Sequence, residues 1–384
     1  MKGWRGGPGW LGRQGGLGRP GRLGRWALAC VMTTLAAQAV GAHKPVTSKY
    51  TYTEDVYPIL SRECGACHSP GGVAPMSLLT YDEARPWAES IRLELASGHM
   101  PPWFGDPGFA ALRDAHKLSP RDLDVVLTWV TGGTPRGAVL PGDAPKAANS
   151  RGTWRRGRPA MTLQLPAAFT LPAGKTEDTQ EFVLETARDR DRVVTAADLL
   201  PGNPAIVHDA IIFIRDAGGT RETVLAMWLP GSTPVSTGAG IGFLWRAGEQ
   251  LGVRIHYRKT WKFENKPATD RSTVGLYLSN APARDVRRLE LTAAGAVLEE
   301  DAQALAVVAL RNSGAPPDVD VRIEAVRPDG TRVPVVGFGV RPGWDQRYWL
   351  ARPIALPKGT RLDVKSTDAV FTALRISLDI VGPT

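Results

Sequence analysis

The stretch Asp55-Val56-Tyr57-Pro58-Ile59-Leu60-Ser61-Arg62-Glu63-Cys64-Gly65-Ala66-Cys67-His68 decides how the first third of this chain is read. Its last five residues form the Cys-x-x-Cys-His pattern that attaches a c-type haem. In that chemistry each thiol adds to one porphyrin vinyl group, and the adjacent histidine, here His68, becomes the proximal iron ligand. A structural zinc knuckle, a thioredoxin-like redox pair and coincidence compete with it. Zinc usually needs ligands beyond these three residues, and none follows at close spacing. A redox pair sits between a strand and a helix, whereas Cys64 and Cys67 end a helical stretch.

That stretch is helical because Val56, Ile59 and Leu60 recur at i, i+3 and i+4. Thr53 and Asp55 are both possible caps, and Pro58, tolerated only in a first turn, favours Asp55. A second helix is expected from Tyr81 to Ala96 (Ala84, Trp87, Ile91 and Leu95 on one face), kinked or delayed by Pro86. A third runs from Pro120 to Val130, with Leu123, Val126, Leu127 and Val130 aligned. Residues 50–135 thereby resemble a small all-α class I cytochrome c. The resemblance implies a sixth iron ligand in the Gly98-His99-Met100-Pro101-Pro102-Trp103 loop, where Met100 is the choice and a thioether raises the potential. His99 and Met76 are rivals, and Met100 also reads as a gap-filler of the core.

Around this centre, the 384 residues can fill more than one core. The formal charge is +9, but the first 42 residues hold six cations and no acid, so the remainder carries 9 − 6 = +3 and nucleic acid is not an expected partner. Residues 1–42 have the layout of a secretory signal: a basic, glycine-rich start, an apolar run from Trp26 to Val40, and Val40-Gly41-Ala42 before His43. The run falls short of the roughly 20 apolar residues of a span. A periplasmic or secreted mature protein without a membrane span is therefore expected, an uncleaved anchor or a lipoprotein at Cys30 being the alternatives. With Cys30 removed, only Cys64 and Cys67 remain, which leaves no thiol for a structural disulfide outside the pair.

Residues 136–159 are rich in Pro, Gly, Ala and Arg and read as a linker whose Arg155-Arg156-Gly157-Arg158 cluster faces solvent or an acidic redox partner. From Ala160 short runs rich in Val, Ile, Leu and Phe alternate with Gly/Pro turns, as in Ala205–Ile214, Gly252–Tyr257, Val274–Leu278, Val319–Val326 and Leu374–Ile380. They predict an all-β antiparallel, jelly-roll-like sandwich region in two lobes, residues 160–283 and 284–384.

Within it, Pro201-Gly202-Asn203-Pro204-Ala205-Ile206-Val207-His208, Trp228-Leu229-Pro230-Gly231, Ile255-His256-Tyr257 and Thr269-Asp270-Arg271-Ser272-Thr273-Val274-Gly275 resemble the copper type II, ascorbate-dependent monooxygenases. That group includes the peptidylglycine hydroxylating enzymes. The resemblance implies two coppers, one on a His-His pair plus a third histidine and one on a His-x-His pair plus a methionine. Here the first pair is His208-Asp209, with His256 as the third ligand. No histidine follows His256 and no methionine follows Met227, so the second site has no ligands. His208, Asp209 and His256 then form either a two-histidine, one-carboxylate site for copper or iron, or remnants with ordinary hydrogen bonds. Adjacent residues on a regular strand face opposite ways, so joint ligation requires a distorted strand.

The expected function is electron transfer by an exported, covalent haem c protein whose β-module positions a redox partner protein or a small-molecule substrate. The alternative is an oxidoreductase, monooxygenase-like, in which the haem supplies electrons to copper or iron at His208 and His256.

Overall fold

A computed structural model of the chain describes residues 47–113, 118–138, 152–185, 190–312, 319–340, 345–366 and 368–383. The expected signal, residues 1–42, and most of the linker lie outside them. Among the described residues no helix is long and apolar enough to cross a membrane. Ser48–Thr384 form one compact unit, mostly β, with several sheets and few helices.

The helices are Tyr57–Glu63 (α1), Tyr81–Ala84 (α2), Ala88–Ala96 (α3) and Pro120–Thr131 (α4) before the sheets, and Asp368–Ala373 (α5) near the end. Tyr52, Val56, Leu60, Ile91, Val126 and Trp129 share a buried apolar cluster that joins the first four. Asp55 is not the cap. A π-helical turn, Tyr52–Val56, precedes α1, and Thr51 caps it by accepting the Glu54 N–H. Asp55 reaches back to accept the Thr51 N–H at 2.8 Å, closing a reciprocal pair of bonds one residue longer than the usual capping box. Pro86 resolves as a 3₁₀ turn, Arg85–Trp87, between α2 and α3, because its ring blocks an α-helical bond there.

One eight-stranded sheet runs through the β region in the order Met161–Gln164, Thr273–Ser279, Arg192–Leu200, Ile241–Trp245, Arg284–Leu291, Leu374–Val381, Ala302–Arg311 and Gln346–Leu356. Its two halves meet at a short parallel pair, Ile241 with Arg284 and Gly242 with Asp285. A four-stranded sheet, Glu177–Glu185, Gln250–Arg258, Val207–Arg215 and Glu222–Trp228, shares one core with the first half. A second four-stranded sheet, Ala296–Val297, Arg361–Lys365, Val319–Val326 and Arg332–Val340, shares another with the second half.

Val207–Arg215 is buried on both faces, and the two-residue period of a strand explains how. Ala210, Ile212 and Ile214 enter the first core, while Ile211 and Phe213 point the other way to meet Val308 and Leu310. The outer face of this sheet is thus an internal surface. Arg347, fully enclosed at that junction, pairs with Asp379 at 2.7 Å and donates to the carbonyls of Val224 and Leu225.

Candidate functional site

Cys64 is the C-cap of α1, its N–H donating to the Leu60 carbonyl. The following turn is held by the Cys67 and His68 N–H groups, both donating to the Cys64 carbonyl at 3.2 and 2.8 Å. The imidazole of His68 is fixed in turn, with Nδ1 3.2 Å from the Met76 carbonyl oxygen. Burial lowers the His68 pKa, which keeps the ring neutral at neutral pH. The two cysteines are free thiols. Burial pushes Cys64 up to about 12 and Cys67 up to about 11.

Met100 lies exposed beyond α3, its N–H donating to the Glu94 carbonyl. His99 is also exposed, with Nδ1 3.4 Å from the Glu94 carboxylate. Met76, the other rival, offers its backbone carbonyl to His68 Nδ1, and its side chain packs against the helical core cluster. The chain after Met100 leaves the helices altogether. Trp103 is buried in the core of the second β lobe, edge-on to Tyr348. Residues Phe104 to Arg113 continue along two strands, with Gly105 bridged to Phe338 and Leu112 bridged to Leu350.

In the first lobe the expected cluster forms. Val207 pairs with Tyr257 and Asp209 with His256, which leaves His208 as the extra residue of a β-bulge. The bulge is the distortion required for neighbouring side chains to face one way. Asp209 Oδ2 accepts hydrogen bonds from His208 Nδ1 and His256 Nδ1, both at 2.8 Å. One potential ligand atom from each residue lies within 4.8 Å of the others, and all three residues are buried. Burial would raise the Asp209 carboxyl, but the two imidazole bonds outweigh it and hold it down at about 2. Burial likewise opposes charge on His256, and Asp209 and Glu177 outweigh it to raise its pKa.

Glu177 was not visible to sequence reasoning. It lies 79 residues before His256, and its Oε1 accepts from His256 Nε2 at 2.7 Å. Only the register reveals it: Thr179 pairs with His256, so Glu177 stands diagonally across the same face.

The segments that carry the monooxygenase resemblance act as braces for the bulge. Asp270 accepts from the Asn203 N–H, the Ser272 hydroxyl and the Tyr257 hydroxyl at 2.8, 2.8 and 3.0 Å. A Cβ on Gly202 would strike the Arg271 backbone at 2.7 Å. The loop before Val207 is thereby pinned to the strand end beside His256.

The turn Leu229–Ser232 of the first lobe touches the helical region. Gly231 has φ +84° and packs so closely on Ala66, between the two cysteines, that no Cβ fits. A cavity of about 350 Å³ at this contact is lined by Tyr57, Ser61, Arg62, Ala66, Arg155 and Gly231. The strand leading into the turn pairs Trp228 with Ala210, the residue after Asp209.

No protein family and no curated protein matches the chain. Among solved structures it is similar to the PBSX exported protein XepA, at 10% identity over 58% of this chain and 87% of that one, with a TM-score of 0.18. N-glycanase F gives 10% identity over 58% and 88% with a TM-score of 0.22. A223, a turret protein of Sulfolobus turreted icosahedral virus, gives 10% over 58% and 98% with a TM-score of 0.15. Likenesses at this level carry no argument about function.

Proposed function

We propose that this chain is an exported electron-transfer protein carrying one haem, bound covalently at Cys64 and Cys67 with His68 on the iron, in a class I cytochrome c-like region. The observation that carries the reading is the fixed orientation of His68. With Nδ1 held at the Met76 carbonyl, the ring presents Nε2 as the ligand atom, the arrangement that metal-bound histidines ordinarily have. Its lowered pKa keeps that nitrogen free of a proton. The thiols, placed by the end of α1 and the turn after it, sit on the same short segment. Bound there, a haem supplies a one-electron Fe(III)/Fe(II) couple. Met100 is the proposed distal ligand, and the anchoring of Trp103 in the second lobe supports it by fixing where the Met100 loop ends. The β lobes, jelly-roll-like in this reading, position the redox partner or substrate.

The test is the chain produced with haem-maturation machinery. One haem per chain that survives acid-acetone extraction is the expected result, lost entirely in Cys64→Ala with Cys67→Ala. An apoprotein from competent cells would overturn the reading. Met100→Ala is expected to open the iron to carbon monoxide and lower the potential; an unchanged spectrum moves the distal assignment to His99 or Met76.

A second reading is favoured by the contact of Ala66 with Gly231. In it the chain is an oxidoreductase whose haem exchanges electrons with a metal at His208, Asp209 and His256, across the turn that joins Gly231 to Trp228.

A further inference from the structure

We infer that His208 Nδ1, Asp209 Oδ2 and His256 Nδ1 form an open, three-ligand centre for a divalent metal of the ferrous type, and that Glu177 is the outer carboxylate positioning His256. The inference deepens the second reading above and rests on its metal site, but not on the haem.

Three observations carry it. The bulge at His208 turns two adjacent side chains toward one point, where Asp209 Oδ2 already meets both Nδ1 atoms at 2.8 Å. The ligand atoms are close enough to converge on one ion. Glu177 accepts from His256 Nε2, so a metal that takes the place of the Nδ1 proton shared with Asp209 finds the ring still held through Nε2–H. A carboxylate on the far nitrogen of a ligating imidazole fixes its tautomer and raises its basicity.

The donor set selects the ion class. Two imidazoles and one carboxylate with vacant positions suit non-haem Fe(II) and related divalent ions, whereas Cu(I) favours thioether and thiolate donors. Charge agrees with this. Asp209 and Glu177 together neutralise a divalent cation, as a buried site requires. Asp209, His208 and His256 are all buried, while the Glu177 side chain is 57% exposed. Glu177 therefore marks the solvent side of the cluster.

The test is a Co(II) titration of the full chain carrying Cys30→Ser, Cys64→Ser and Cys67→Ser, so that no thiol binds the probe and the haem reading can fail without touching the outcome. One Co(II) per chain is expected, with a visible spectrum of nitrogen and oxygen ligation, displaced by Fe(II) under anaerobic conditions. His256→Gln and Asp209→Asn are each expected to weaken binding at least 100-fold. Glu177→Gln should weaken it about 10- to 100-fold, while the metal-free melting temperature falls only slightly because the Glu177 side chain is largely exposed. No uptake by the parent, or uptake undiminished in His256→Gln, overturns the centre. Equal affinity in Glu177→Gln overturns the role of Glu177. If the two buried-site variants do not fold, the Glu177→Gln affinity and the metal-induced rise in the parent's melting temperature decide the matter.

Discussion

The helical region and the first β lobe build their candidate sites in opposite ways. Cys64 to His68 are consecutive, placed by one helix end and one turn. His208, Asp209, His256 and Glu177 come from three strands and meet only because a register and a bulge bring them together. A site made of consecutive residues depends on local bonds. A site made across a sheet depends on every brace that holds the sheet in register.

Three substitutions sharpen this contrast, taken from the widest reach to the narrowest. Trp103→Ala empties a buried aromatic position in the second lobe, and such truncations cost about 3–5 kcal/mol. Because the same segment follows Met100, chemical denaturation followed separately by a probe in the helices and one in the sheets should show both transitions lowered together. A helical transition that stays in place would show that the Trp103 anchor does not couple the regions.

Asp198→Asn tests the β region alone. Burial raises the Asp198 carboxyl to about 6, against hydrogen bonds from the Leu199 and Arg155 backbone. A carboxyl whose folded pKa lies above its unfolded value holds its proton more tightly when folded. Stability from this group therefore falls as pH rises from about 4 through about 6, then levels off. The asparagine variant should be more stable than the natural chain at pH 7 by about 3 kcal/mol, with the difference vanishing near pH 4. Urea midpoints at the two pH values measure it, and a difference independent of pH would sink the assignment.

Thr51→Ala reaches least. It removes the side-chain oxygen that caps the turn before α1, at a cost of about 1 kcal/mol. The variant should melt a few degrees lower with the Co(II) affinity of the β cluster untouched. A change in that affinity would mean that the helical cap and the sheet are more tightly coupled than the local bonds imply.

The same contrast explains what the sequence disclosed. The apolar spacing at Val56, Ile59 and Leu60, and at Leu123, Val126 and Leu127, set the helices to within a residue or two. Asp55 was misread as the cap because a π turn, which has no common sequence signature, moved the helix start back to Thr51. In the sheets, alternation located Val319–Val326 and Leu374–Val381, and the need for a distortion at His208-Asp209 followed from the strand period alone. Glu177 stayed hidden because nothing in Glu177-Asp178-Thr179 signals which strand it will face. Trp103 was read with the loop of Met100, and only the packing shows that it belongs to a core assembled more than 180 residues later. The packing of Gly231 on Ala66 is likewise a fact of tertiary structure.

The desolvation of the Cys64 and Cys67 thiols also bears on how readily they react. A thiol reacts through its thiolate, and desolvation holds both thiols toward the neutral form in this fold. Gly231 packs on Ala66, the residue before Cys67, so the motif gains a neighbour that lies some 160 residues further along the chain. On the proposed haem reading, attachment to these thiols is expected to run faster in the unfolded than in the folded chain, and alkylation rates measured in both states check it.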